Sequence, residues 1–130
     1  MKKVLVVDDD PSVLAFVSEV VSQMGHLPLK AQNSSEALGY FEVHTRFDAV
    51  ITDIRMGGMD GIELGKRLVG NQPGLRILFI SGFIADASAF LADSILPLNA
   101  YFLHKPFSPL ELSKVIAIML VNPATPVLVH

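Results

Sequence analysis

Two kinds of hydrophobic pattern alternate along the chain. Short, continuous apolar runs are each followed by a segment in which apolar residues recur at helical spacing. A short apolar run without polar alternation is typical of a strand covered on both faces, as in a parallel sheet. The runs predict strands at Val4–Val7, Pro28–Ala31, Phe47–Ile51, Ile77–Ile80 and Ala100–Leu103.

The segments between these runs predict helices with one apolar face. The first helix is predicted to begin at Pro11, with Asp10 as its N-cap, and to end near Gly25. The last is opened by the capping box Ser108–Glu111. The other predicted helices are Asn33–His44, Asp60–Gly70 and a weak one, Ala85–Ile95, which we expect to be the most mobile element.

Five strand–helix repeats with short links predict an α/β domain. Such alternation places a parallel sheet in the middle and helices on both of its faces. The chain of 130 residues has the length of one domain with a substantial core. We expect this domain to occupy residues 1–121, and residues 122–130, which include two prolines, to form a tail or the start of a linker.

Composition and charge exclude several classes of protein. The net charge is -3 and no block of Lys and Arg occurs, which disfavours direct binding to nucleic acid. The absence of cysteine excludes disulfides, Cys-ligated zinc and thiol catalysis, and fits a reducing compartment. Val115–Val121 is too short an apolar stretch to span a membrane, and Asp8 interrupts the apolar start too early for a signal peptide. We therefore expect a soluble, cytoplasmic domain without membrane contact.

Polar side chains follow four of the five predicted strands. Asp8 and Asp9 follow the first strand, Asp53 the third, Ser81 the fourth and Lys105 the fifth. Because ligands bind beyond the carboxyl ends of the strands in an open parallel sheet, we expect these side chains to meet there. Clustered carboxylates, with no cysteine in the chain and no histidine at the first three strand ends, favour a hard divalent cation, with Mg²⁺ as the natural candidate and Mn²⁺ as a substitute.

This combination of groups suits the transfer of a phosphoryl group to a carboxylate. Asp53 would attack phosphorus in line, while the metal ion and Lys105 neutralise charge and the Ser81 hydroxyl donates a hydrogen bond to a transferring oxygen. Each residue also has an ordinary explanation as a helix cap, a turn residue or a strand exit. Unrelated turns, however, give no reason for these residue types to occupy four ends of one sheet edge.

These motifs resemble those of the response regulator receiver domains of two-component signalling, the CheY-like superfamily. The resemblance extends from about Lys3 to Val121. It implies a flavodoxin-like (βα)5 fold with a single five-stranded parallel sheet in the order 2-1-3-4-5. The segments that match in order and spacing are Val6–Asp10, Ile51–Met56, Met59–Gly61, Ile80–Gly82 and Lys105–Phe107.

The resemblance also implies a catalytic and switching role for individual residues. Asp53 would be the phosphoacceptor, Ser81 the hydroxyl that follows the phosphoryl group, and Lys105 the paired cation. Phe102 matches the aromatic switch position. Because Phe102 lacks the hydroxyl of a tyrosine, any switching there must be steric, and plain core packing explains this residue equally well.

The metal site implied by the resemblance consists of three carboxylates and one carbonyl. Asp8, Asp9 and Asp53 would bind Mg²⁺ together with the backbone carbonyl of Arg55. Asp9 would bind the ion directly and Asp8 at least partly through water. The Arg55 side chain lies two positions past Asp53, from where it can reach the phosphoryl group and alter the rate of dephosphorylation.

The implied phosphoryl donor is a sensor histidine kinase or a phosphotransfer domain, and an output partner or domain would read the modified state. A dimer formed on phosphorylation fits the same scheme. The domain would catalyse only its own phosphorylation and dephosphorylation, without metabolic turnover. The alternatives are a haloacid-dehalogenase-type phosphatase, suggested by the Asp-x-Asp of Asp8–Asp10 but leaving Asp53 without a role, and a receiver-like domain that acts without phosphorylation.

Overall fold

The computed structural model describes residues 1–43, 46–83, 85–86, 88 and 100–121, and these residues include five strands and four helices. The element bounds are β1 (Lys3–Val7), α1 (Pro11–Gln23), β2 (Leu27–Ala31), α2 (Ser34–Glu42), β3 (Ala49–Asp53), α3 (Gly61–Asn71), β4 (Arg76–Ser81), β5 (Ala100–His104) and α4 (Pro109–Val121). Among the described helices, none combines the length and the hydropathy that crossing a lipid bilayer requires.

The strands form one parallel sheet in the order β2-β1-β3-β4-β5, which confirms the predicted fold. The register decides which strand ends are neighbours. Val7 of β1 lies opposite Thr52 of β3, so the residues that follow each of them, Asp8 and Asp53, lie side by side. Asp53 in turn lies opposite Ile80 of β4, next to Ser81.

Alternate residues of each strand face opposite sides of the sheet and enter two separate cores. On one side Val6 and Ile51 pack against α1 and α4 through Val17 and Ile116. On the other side, strand residues pack against helices α2 and α3. The strand residues of this core include Leu5, Val50, Ile77 and Phe79, and the helix residues include Ala37, Leu64 and Leu68. Because both faces are covered, the strands carry apolar residues almost without interruption.

The predicted caps are present at the helix starts. The Asp10 side chain accepts hydrogen bonds from the N–H groups of Ser12 and Val13, at 2.8 and 3.5 Å. The N–H of Ser108 donates to the Glu111 carboxylate, and the N–H of Glu111 donates to the Ser108 hydroxyl, both at 3.0 Å. The first and last helices therefore begin where their sequences predict.

The third strand begins two residues later than predicted, at Ala49 instead of Phe47. Both backbone polar groups of Phe47 are hydrogen-bonded to the side chain of Gln72. The N–H of Phe47 donates to Gln72 Oε1 at 3.1 Å, and the carbonyl of Phe47 accepts from Gln72 Nε2 at 2.6 Å. An amide side chain thus replaces strand pairing at this residue. Hydrophobic pattern alone carries no signal for such a contact.

Other predicted bounds shift by one or two residues, and some lie outside the described residues. The third helix begins at Gly61 after its N-cap Asp60, and the second ends at Glu42. Of the weak helix predicted at Ala85–Ile95, only Ala85, Asp86 and Ser88 are described, with helical backbone. The remainder of that segment, and residues 122–130, lie outside the described part of the chain.

Gly61 lets helix α3 approach the backbone at the end of β3. Its N–H donates to the carbonyl of Ile54 at 2.8 Å. A Cβ atom at Gly61 would lie 2.1 Å from the carbonyl oxygen of Asp53, far inside van der Waals contact. The absence of a side chain at Gly61 is therefore a condition for the observed position of the segment that follows Asp53.

We predict that Gly61→Ala lowers the free energy of unfolding by about 1–3 kcal/mol, because backbone atoms must move to accept the methyl group. Gly70→Ala is the matched control in the same helix, since a Cβ there meets no atom within 4 Å. It should leave stability unchanged or raise it by up to about 1 kcal/mol. Urea unfolding of the two variants measures the difference, and equal midpoints would contradict the prediction.

Candidate functional site

The edge formed by the carboxyl ends of the strands brings three carboxylates together. One oxygen from each of Asp8, Asp9 and Asp53 can be chosen so that all lie within 4.8 Å of one another. Lys105 Nζ lies 3.6 Å from Asp53 Oδ2. The strand-end residues predicted to meet from β1, β3 and β5 are therefore adjacent in the fold.

Local backbone contacts fix the two buried carboxylates. Asp8 is buried, its N–H donates to the carbonyl of Ala31 at 3.1 Å, and its Oδ1 accepts from the N–H of Asp10 at 2.9 Å. Asp53 is the last residue of β3 and is also buried, and Ile54 after it donates its N–H to the carbonyl of Ile80 at 3.0 Å. Asp9, by contrast, is exposed at the mouth of the site.

Burial dominates the electrostatics of this cluster. Loss of hydration on burial is the main reason why the pKa of Asp8 is raised from 3.8 to about 6. The hydrogen bond from the N–H of Asp10 lowers this pKa, and the negative charge of Asp53 raises it. Burial also raises the pKa of Asp53, while the Lys105 ammonium is the strongest influence that lowers it. Positive charge near Asp53 thus favours its ionised, nucleophilic form.

The fourth strand brings Ser81 to the same edge, but its hydroxyl is already engaged. Ser81 Oγ donates to Asp86 Oδ2 at 2.5 Å and accepts the N–H of Phe83 at 3.1 Å. Asp86 is a residue that the sequence analysis missed. It lies in the weak helical segment and follows no strand directly, so neither periodicity nor strand-end position identified it.

Arg55 shares the same acceptor. Its Nε lies 3.0 Å from Asp86 Oδ2, and its guanidinium carbon lies 4.0 Å from the centre of the Phe83 ring, a cation–π contact. Arg55, Asp86 and Asp9 line an open depression of about 540 Å³ beside the carboxylates. The depression opens the site to solvent, and both negatively charged carboxylates and the positively charged Arg55 guanidinium line it.

Phe102, the predicted switch residue, lies on β5 opposite Phe79. Its side chain is half-buried and packs against the core on the α2 and α3 side of the sheet. This position suits core packing as well as a steric switch, so both interpretations of Phe102 from the sequence stand.

Comparison with known proteins gives the family. The family model described as "Response regulator receiver domain" matches residues 4–117. The chain is 35% identical over 121 residues to the response regulator receiver protein CpdR of Brucella abortus, covering 93% of this chain and 98% of that protein. It is 32% identical over 111 residues to the response regulator GtcR of Aneurinibacillus migulanus, covering 85% of this chain but 44% of that longer protein.

A solved structure agrees with these sequence relatives. The response regulator protein TrrA of Thermotoga maritima, in complex with Mg(2+)-BeF, superposes with a TM-score of 0.75 and 28% identity, covering 92% of this chain and 100% of that one. The family model covers residues 4–117, which include all five strands and the acidic cluster of Asp8, Asp9 and Asp53. The chain therefore belongs to the response regulator receiver domains, which are signalling domains of two-component systems and not classical enzymes.

Proposed function

We propose that Asp53 accepts a phosphoryl group from a phosphohistidine of a sensor histidine kinase or phosphotransfer domain. An Asp53 oxygen forms a bond to phosphorus while the phosphorus–nitrogen bond of the donor breaks and its electron pair stays on the ring nitrogen. With a proton that the donor ring carries or takes from water, this leaves an acyl phosphate and a neutral histidine. Water later hydrolyses the acyl phosphate to inorganic phosphate and the free carboxylate. The observation that carries this proposal is the buried Asp53 carboxylate with Asp8 and Asp9 beside it and Lys105 Nζ at 3.6 Å.

The donor set fits Mg²⁺. Receiver domains bind this ion through an acidic cluster of the kind formed by Asp8, Asp9 and Asp53. These residues offer only oxygen ligands, and burial leaves the carboxylates of Asp8 and Asp53 short of compensating charge. We propose that these three side chains and the backbone carbonyl of Arg55 hold the ion. Bound Mg²⁺ would neutralise negative charge on the carboxylates and on the phosphoryl oxygens.

The chain's own groups have separate tasks in this proposal. The Lys105 ammonium lowers the pKa of Asp53 and then pairs with the transferred phosphoryl group. The Ser81 hydroxyl, at the end of the adjacent strand, donates a hydrogen bond to a phosphoryl oxygen. No further catalytic function is assigned, because the product stays on the domain until it hydrolyses.

The proposed output is a change of surface. Movement of Ser81 and Lys105 toward the phosphoryl group would shift the loops that carry them, with Phe102 following as a steric switch. A partner, an output domain or a second copy of the chain would bind the altered surface. In this proposal residues 1–121 form the signalling unit, and it works in the cytoplasm, where its donor kinase is phosphorylated.

We predict that the protein gains the mass of one phosphoryl group when incubated with acetyl phosphate and Mg²⁺, and that chelator prevents the gain. Asp53→Asn should show no gain, because an amide oxygen does not act as the nucleophile. Asp10→Asn is the control with the same chemical change, since asparagine caps a helix as well as aspartate does. Intact mass spectrometry decides the point. A gain in Asp53→Asn would refute the assignment of Asp53.

We predict that Asp8 makes the metal-free protein less stable as pH rises from 5 to 7. The pKa of Asp8 is about 6 in the folded protein, above its ordinary 3.8, so the folded state binds more protons in this range. The stabilising contribution is present at low pH and is lost through pH 6. Relative to Asp8→Asn, the wild type should lose about 1 kcal/mol of stability between pH 5 and pH 7.

Urea unfolding in chelator at pH 5 and pH 7 measures this loss. Asp10→Asn should behave like the wild type, because it leaves the Asp8 carboxylate in place. Adding Mg²⁺ at pH 7 should stabilise the wild type and have less effect on Asp8→Asn. If the wild type and Asp8→Asn show the same pH dependence, the buried Asp8 charge is not what limits stability.

A further inference from the structure

The carboxylate of Asp86 joins two segments of the phosphorylation site. A single oxygen, Oδ2, accepts from the Ser81 hydroxyl at 2.5 Å and from Arg55 Nε at 3.0 Å. The Asp86 side chain is 12% exposed, whereas that of Arg55 is 53% exposed. The acceptor is therefore largely shielded from water, and charge-assisted hydrogen bonds to such an acceptor are among the strong ones.

The bond from Ser81 to Asp86 excludes the bond that the proposed function needs. A serine hydroxyl has one proton and so donates one full hydrogen bond at a time. In this structure that proton points to Asp86, and the oxygen accepts the N–H of Phe83. For Ser81 to donate to a phosphoryl oxygen on Asp53, the hydroxyl must leave Asp86.

Arg55 is held by the same carboxylate and by one ring. Its guanidinium lies over Phe83, and its Nε pairs with Asp86. Arg55 follows β3 and Phe83 follows β4, so Asp86 and this ring tie the loops after the two strands to each other. The Arg55 side chain, which lies within reach of the phosphoryl group by its position two residues past Asp53, is thus held by contacts within the protein.

We propose that Asp86 is a positioning residue that holds Ser81 and Arg55 in the unphosphorylated arrangement and competes with the phosphoryl group for both. The proposal rests on the proposed function of Asp53 and adds to it a built-in competitor. Phosphorylation must replace the Asp86 carboxylate with phosphoryl oxygens as the acceptor. The affinity of the site for a phosphoryl group is then its intrinsic affinity multiplied by the fraction of molecules in which Ser81 and Arg55 are released from Asp86.

The first consequence concerns Asp86→Ala. Removing the carboxylate frees the Ser81 proton and the Arg55 guanidinium, so the competent arrangement becomes more populated. With Mg²⁺ present, the full-length chain should bind fluoroberyllate, a mimic of the phosphoryl group, about tenfold more tightly than the wild type does. Isothermal calorimetry measures the dissociation constant, and urea unfolding of the unliganded protein is measured in parallel.

A merely structural role for Asp86 gives a different result. In that case Asp86→Ala would lower the stability of the unliganded protein and leave fluoroberyllate affinity equal or weaker. Glu63→Gln is the matched control, because it breaks another carboxylate–Arg pair, Glu63 with Arg67 at 3.4 Å, on helix α3. It should bind fluoroberyllate as the wild type does. Asp86→Asn tests the same point with a smaller volume change, and should tighten binding about two- to fivefold.

The origin of the gain is tested in a second background. When Ser81→Ala and Arg55→Ala are combined, neither donor remains to be released. Adding Asp86→Ala to this double variant should then change fluoroberyllate affinity by less than about twofold, the range in which coupling has disappeared. A tenfold gain in this background would overturn the proposal, since Asp86 would act through other groups.

The two proposals fail in different ways. If the wild type binds fluoroberyllate and Asp86→Ala and Asp86→Asn bind it no more tightly, the competitor role of Asp86 is wrong and the function proposed for Asp53 stands. If the wild type fails to bind fluoroberyllate with Mg²⁺ and fails to gain a phosphoryl group from acetyl phosphate, the function proposed for Asp53 is wrong and the role of Asp86 falls with it.

Discussion

The burial of two neighbouring carboxylates at one edge of a parallel sheet is the constraint on which the site depends. Asp8 and Asp53 lie at the ends of adjacent strands, and both are buried. Burial disfavours the ionised form of each carboxylate and raises its pKa, and apolar neighbours do not offset this desolvation. Hydrogen bonds from the backbone and one ammonium, that of Lys105, relieve part of this cost. What remains is a cluster of negative charge whose electrostatic cost is only partly compensated within the protein.

The surrounding fold holds this unfavourable arrangement in place. The covered strands β1 and β3 fix the register of the two carboxylates, because a slip of one residue would move each apolar side chain into the opposite core, where the packing partners differ. The capping of α1 by Asp10 sets the turn whose N–H binds Asp8. Gly61 allows α3 to lie against the backbone of Asp53. Stability supplied by the cores thus supports a strained distribution of charge at the edge.

Local patterns predicted the alternation of strands and helices and the strand-end residues, whereas the strand order was implied by the resemblance to receiver domains. Continuous apolar runs mark covered strands, and in a parallel sheet all strands end at the same edge, so the residue that follows each run is automatically a candidate. Contacts made by side chains across loops carry no such pattern. The start of β3 was predicted too early because Gln72 pairs with the backbone of Phe47, and Asp86 was missed because it follows no strand.

The resting partner of Ser81 illustrates why a list of site residues is insufficient to describe a switch. The resemblance assigns Ser81 and Arg55 by position, but position does not say where a hydroxyl proton points before the phosphoryl group arrives. Here both donors converge on one shielded oxygen of Asp86. A receiver domain whose donors were free would respond to phosphorylation with little rearrangement. One whose donors are already bonded must exchange acceptors, and under the function proposed for Asp53 that exchange links the phosphorylated residue to Asp86.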